Sequence, residues 1–195
     1  VQRFVPSVIW YYFRSVRKSH TTERAMMTGL HKKLFALILG CTAGACIASD
    51  LPNRSLTPGA INPDVRQDNI QTTICVKGYT KTIRPPAYYT NRLKKQQIRE
   101  YGYSERNPKL FEEDHLVPLS SGGHPTDQKN LWPEPRHTEW GAERKDQLEF
   151  AMYKAICRGE IGLEEAQRAF AVDWIASYKK YGYLLSKYRT RGFAD

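Results

Sequence analysis

Residues Phe111–Pro135 read FEEDHLVPLSSGGHPTDQKNLWPEP, and the fold turns on how this stretch is divided. Asp114 stands directly before His115, two glycines follow at Gly122 and Gly123, and Asn130 comes fifteen positions after the histidine. Leu116, Val117 and Leu119 form an apolar run rich enough for a buried strand, and Ser120, Ser121, Gly122 and Gly123 end it with a strong turn signal. His115 lies inside that run beside a carboxylate. A charged Asp next to a His in an apolar strand costs free energy unless the pair has partners or a cation.

Periodicity organises the flanks. Leu148, Met152 and Ile156 recur every four residues, as do Ala166, Phe170, Trp174 and Tyr178. These patterns predict helices over 139–157 and 163–180, each with an apolar stripe for the core, separated by Gly159 and Gly162. A further helix is expected over Asn91–Tyr101, with Leu93, Gln97 and Ile98 turned inward. Residues 49–73, with Pro52, Pro58, Gly59 and Pro63, read as a linker or loosely held segment. The expectation is a single α+β domain over 74–182 and a tail over 183–195. No repeat, phosphate-binding glycine loop or small-molecule cofactor motif is present in the sequence.

The N-terminal part reads as a targeting segment. From Met27 the chain runs MTGLHKKLFALILGCTAGACIASD, a short basic stretch, then an apolar core over Leu34–Ile47 with small residues at its end. That is the layout of a secretory signal peptide, and it is short for a membrane span. Cleavage is expected after Ala48, so residues 1–26 read as an upstream extension and the protein as secreted or periplasmic. The run Ala43-Gly44-Ala45-Cys46 leaves lipidation at Cys46 as the alternative, the one case in which a membrane is a partner.

Removal of residues 1–48 changes the charge balance. The whole chain carries a formal +10, but 1–48 hold seven Lys/Arg and one acid, so the remainder has 23 basic and 19 acidic residues, a net of +4. Distribution is more informative than the total. Residues 77–109 contain nine Lys/Arg against two acids, interleaved with Tyr79, Tyr88, Tyr89, Tyr101 and Tyr103. Basic groups neutralise phosphates and aromatic rings stack on bases, so this segment, with Lys94 and Lys95, is a candidate nucleic-acid strip. Lys129 and Arg136, which flank Asn130, are further candidates for phosphate contact. Processing also removes Cys41 and Cys46. Cys75 and Cys157 remain, most simply as one disulfide of an exported protein, and neither has the CxxC partner or nearby histidine of a zinc site.

Asp114-His115, Pro118, Gly122-Gly123 and Asn130-Leu131 together resemble the signature of the HNH nucleases, whose active site is a ββα-metal unit. The match covers residues 111–146. The resemblance implies a β-hairpin carrying the first motif, the asparagine in the connection before a helix, and a helix that completes the metal site. It implies hydrolysis of DNA, with RNA as the alternative substrate, to products with a 5′-phosphate and a 3′-hydroxyl. His115 would be the general base, Asn130 would hold the far side of its ring or its loop, and Asp114 would bind a divalent cation. Mg²⁺ is the simplest choice, with Mn²⁺ or Zn²⁺ as alternatives.

The chain departs from the family pattern at the third position. Many HNH proteins carry His or Asn about nine residues after the middle asparagine; here that place is Glu139. His137 is the preferred second metal ligand, with Glu139 and Asp146 open as alternatives, and His124 reads as a loop residue. Two other function classes stay open, an exported nucleic-acid-binding protein without catalysis and a lipid-anchored envelope protein with a structural ion.

Overall fold

The computed structural model describes residues 50–188. The expected signal peptide and upstream extension, and residues 189–195, lie outside the described residues. These comprise helices α1 Tyr79–Ile83, α2 Ala87–Glu100, α3 Ala142–Cys157, α4 Leu163–Lys180 and α5 Gly182–Lys187, with strands β1 Phe111–His115 and β2 Leu131–Pro135 in one antiparallel sheet. The arrangement is α+β.

β1 is the polar segment FEEDH, and the apolar run after it is not a strand. Phe111 pairs with Pro135, Asp114 with Trp132 and His115 with Leu131. Leu116 N still donates to Asn130 O at 2.8 Å, but Val117 N goes to the Asn130 side chain instead of the ladder. Pro118, which has no N–H, then opens a 3₁₀ turn over Leu119–Ser121. Leu116, Val117 and Leu119 are buried as a core loop. Strand alternation puts Phe111, Glu113 and His115 on one face of β1, and Glu112 and Asp114 on the other.

The helices pack the hairpin from both sides. α2 starts earlier than Asn91, because Pro86 holds an extended entry that leads straight into a helical turn. It buries Leu93, Gln97 and Ile98, and the Gln97 amide donates to Leu131 O at 2.8 Å. α3 starts only at Ala142. At Gly141 the chain folds back so tightly that a Cβ would lie 2.7 Å from the carbonyl oxygens of Pro135 and Arg136. Leu148, Met152 and Ile156 of α3 meet Phe170 and Trp174 of α4 and Trp132 of β2 in the core; fully burying such a side chain stabilises by about 1.5–3 kcal/mol. α4 breaks its helical geometry at Asp173, whose carboxylate accepts from Ala176 N at 2.8 Å and caps the continuation.

Two expected boundaries are corrected by this packing. The linker expected over 49–73 is a strap bonded to the motif loop. Gly59 N donates to Lys129 O (2.8 Å), Asn62 N to Gly122 O (2.8 Å), and His124 N to Ala60 O (2.9 Å). Its Thr57, Asn62, Val65 and Ile70 are buried. Prolines here set an extended path; they do not loosen it. The tail expected from residue 183 begins inside α5, where Leu184 is fully buried, and Tyr188 packs behind it.

Cys75 and Cys157 are disulfide-bonded, with Cα atoms 5.5 Å apart. The bridge ties the turn after the strap to the end of α3, and the Gln71 amide adds a bond to Cys157 O at 3.2 Å. Closing a loop of this length stabilises by roughly 4 kcal/mol in the chain-entropy description. Reduction, or Cys75→Ser with Cys157→Ser, should therefore lower the melting temperature by about 10 °C. An unchanged melting curve with and without reductant would show that the bridge contributes nothing.

Candidate active site

The loop between β1 and β2 is shaped by its glycines and by Asn130. Gly122 takes a φ of 76°, which favours glycine. At Gly123 a Cβ would lie 1.7 Å from Val117 O, so only glycine admits that close approach. Asn130, fully buried, uses both ends of its amide: Oδ1 accepts from Val117 N (2.9 Å), and Nδ2 donates to Val117 O (2.9 Å) and His124 O (3.0 Å). It holds the loop and not the imidazole. The residue after His124 is Pro125, and its carbonyl oxygen lies 2.9 Å from His115 Nε2. Asn130 thus acts on His115 through two consecutive loop carbonyls.

The protonation of His115 follows from its surroundings. Burial pushes its pKa below the ordinary imidazole value; Asp114 and the Pro125 carbonyl oppose this, Arg84 and Lys145 reinforce it, and the net shift is downward. The ring is neutral near pH 7 and carries one N–H. A carbonyl only accepts, so that hydrogen sits on Nε2 and the lone pair is on Nδ1. Among the described residues Nδ1 has no hydrogen-bond partner.

Asp114, on the other face of β1, is held by a buried ammonium. Lys145 of α3, 0 % exposed, donates to Asp114 Oδ2, to Glu149 Oε1 and, at 2.9 Å, to His115 O. Burial pushes the Asp114 carboxyl up, but Lys145 first, with the neighbouring Glu134 and His115, outweighs it and keeps the carboxyl below its usual range. Lys145 is pushed above the usual lysine range, because Asp114, Glu149 and Glu134 together overcome desolvation. Three carboxyls share this one ammonium, so they do not all ionise. Glu134, fully buried on β2 with neither oxygen hydrogen-bonded, is driven well up by desolvation, which with the charges of Asp114 and Glu149 outweighs the pull of Lys145. On the His115 face, Glu113 encloses both oxygens without a partner and is pushed up to about 9 by burial and then by Asp114.

The other expected site residues separate. Asp114 pairs with Trp132, whereas Pro135 is already three strand residues or about 10 Å further along, and His137 follows two residues later. His137 and Glu139 are exposed around a depression with Arg136, Glu143 and Arg144, and do not join Asp114. Asp146, next to Lys145 on α3, is within electrostatic reach of it. Although exposed, its carboxyl is pushed up to about 6 by desolvation against the hairpin and by the charges of Asp114 and Glu112. Arg136 is ion-paired to Glu112 at 2.7 Å, and Lys94 donates to Phe111 O at 3.1 Å. Lys95 and Lys129 are exposed. His124 Nδ1 accepts from Thr126 N and Asp127 N, a turn-forming role.

Lys145 escaped sequence reasoning, yet it precedes Leu148 by three residues and so belongs to the same buried stripe. Glu134 and Glu149 carry no such signal, because their meeting with Asp114 depends on hairpin register and helix docking. Removing the shared cation should be costly. Lys145→Met is expected to destabilise by about 3–5 kcal/mol, the cost of a buried charge left without its partner. The loss should be larger at pH 8 than at pH 5, since protonation at low pH relieves the stranded carboxylates. Denaturant titrations at the two pH values check this, and equal losses would contradict it.

Comparison of the chain with family models, with curated proteins and with solved structures gives no match. What the site can do is therefore judged on its own geometry. Among the described residues, no three His, Cys, Asp or Glu side chains form a group suited to hold a metal ion. A closed zinc-type ligand set does not fit such a site. An Mg²⁺-type ion asks for less, since it is bound through one or two carboxylates, with waters and substrate phosphate completing the shell. Asp114 is the carboxylate available for such an ion, being kept ionised with 16 % of its side chain exposed.

Proposed function

We propose that the protein is a metal-dependent nuclease of the HNH kind that hydrolyses phosphodiester bonds of DNA, with RNA as the alternative substrate. The observation that carries this reading is the state of His115: neutral, with Nε2–H committed to Pro125 O and Nδ1 left as the acceptor, next to a carboxylate kept ionised. That is what a general base acting on water needs. The β1–β2–α3 order around Asp114, His115 and Asn130 supports a ββα-metal unit.

Asp114 would hold the cation, with Asp146 taking the place of His137 as the second carboxylate or nitrogen ligand considered. When bound, the ion would supply Lewis-acid stabilisation of negative charge at the phosphate and the leaving oxygen. His115 Nδ1 takes the proton of the attacking water. Pro125 O fixes the ring's direction and tautomer, and Asn130 fixes Pro125. His115 is only 3 % exposed whereas the Asp114 side chain keeps 16 % exposure, so substrate would arrive from the Asp114 side. Arg84, exposed just before α2 and contributing to the electrostatics of both His115 and Asp146, is a candidate for phosphate contact. The Cys75–Cys157 bridge supports residence in an oxidising, secreted or periplasmic setting.

Cleavage of supercoiled plasmid by the purified protein with Mg²⁺ or Mn²⁺, and its loss with EDTA, tests the reading. His115→Ala should reduce the rate by at least about 10²-fold. DNA binding without cleavage would instead favour the non-catalytic alternative.

The pH profile tests the protonation state. The neutral ring is the active form and its pKa is depressed, so the rate should hold from pH 7 down to the ordinary imidazole value of about 6.5. It should fall only at lower pH. A decline already centred above pH 6.5 would exclude His115 as the base.

A further inference from the structure

The basic strip resolves into a single exposed face of α2. Tyr88, Arg92, Lys95 and Arg99 follow at spacings of four, three and four, which places them within about 60° of one another around the helix axis. All four are exposed, Tyr88 at 77 %. The opposite face buries Leu93 and Gln97 against the hairpin. The stripe is about 16 Å long. It ends in a cleft lined by Lys95, Arg99 and Arg106 over Ile98 and Pro108, with no carboxylate among its lining residues. Arg106 is anchored by its bond to Ile98 O at 3.3 Å. Among the described residues, none of Arg92, Lys95, Arg99 and Arg106 is in an ion pair. The one acid of α2, Glu100, accepts from Gln96.

The other end of the stripe lies at the candidate active site. The Tyr89 hydroxyl donates to Thr126 O at 2.8 Å, one residue past the carbonyl that holds His115. Arg84, just before α2, acts electrostatically on His115. Uncompensated cations in a cleft with apolar walls concentrate positive potential, and a polyanion is the ligand that potential selects.

We propose that the Arg92–Lys95–Arg99 face of α2, with Arg106, is an exosite that binds the phosphate backbone of a polynucleotide strand and leads it to the hairpin. This rests on the nuclease reading for its substrate class, and adds that part of the affinity lies outside the catalytic hairpin. The contacts are to phosphates, so they carry no base sequence information. The exposed Tyr88 ring offers a stacking surface at the site end.

Binding, read apart from cleavage, tests it. The full chain carrying His115→Ala is titrated in EDTA against a fluorescent single-stranded oligonucleotide of about 30 nucleotides, between about 50 and 200 mM salt. Arg92→Gln, Lys95→Gln and Arg99→Gln together should weaken binding by at least about tenfold at the low-salt end. The slope of log K against log salt should become shallower by about 2. Arg92→Lys with Arg99→Lys should keep the parent slope. Lys179→Gln, Lys180→Gln and Lys187→Gln, an equal charge loss on α4 and α5, should change neither affinity nor slope beyond about twofold. An unchanged slope in the α2 variant, or an equal loss in the α4–α5 variant, overturns the exosite. Displacement of the oligonucleotide by polyglutamate as readily as by unlabelled DNA overturns it in favour of an acidic protein partner. A chain that shows this binding but never cleaves plasmid would instead remove the nuclease reading and leave the track standing.

Discussion

The ammonium of Lys145 joins the parts of this molecule that matter for chemistry. It is fully enclosed, and it reaches from α3 to the side chain of Asp114, to the backbone of His115 and back to Glu149 on its own helix. An enclosed cation has no solvent to fall back on, so α3 must sit where these acceptors are. The same contact keeps one of several crowded carboxyls ionised, while Glu134 absorbs the excess negative charge as a proton. Helix docking and site electrostatics are consequently one interaction seen from two sides.

A second dependence runs through the loop. Asn130 is too far removed from the imidazole to bond to it, yet it determines where Pro125 lies and hence which ring nitrogen of His115 carries hydrogen. Gly123 is needed for the same reason: the backbone there passes so near Val117 that no side chain fits. The spacing of the motif reflects these contacts. Fifteen residues are what the chain requires to leave β1, turn through Gly122 and Gly123, and return with an amide under its own loop.

Much of this was legible in the residues. The four-residue periodicities of α3 and α4 followed from core burial, and Cys75 and Cys157 were the two cysteines left to pair. Asp114, His115, Asn130 and the glycine turn stood out through their order. The strand did not. Apolar content favoured Leu116–Leu119, but Pro118 and the Asn130 side chain withdraw that run from the ladder, and tertiary pairing overrides the low strand preference of FEEDH. Chemical type favours His137, but type says nothing of how far along the hairpin it falls. No linear pattern shows that α3 folds back to bring Lys145 onto Asp114. Prolines at 52, 58 and 63 suggested looseness where the chain is in fact extended and bonded.

The strap over residues 57–65 has a bearing on how this unit can be transplanted. Gly59, Ala60 and Asn62 occupy backbone groups of Lys129, His124 and Gly122 that a bare hairpin and helix would present to water. A fragment trimmed to the recognisable motif would bare the outer edge of the histidine loop, and the carbonyl that steers the ring would lose its backing. The smallest portable version of the site therefore begins well upstream of the residues that make it recognisable.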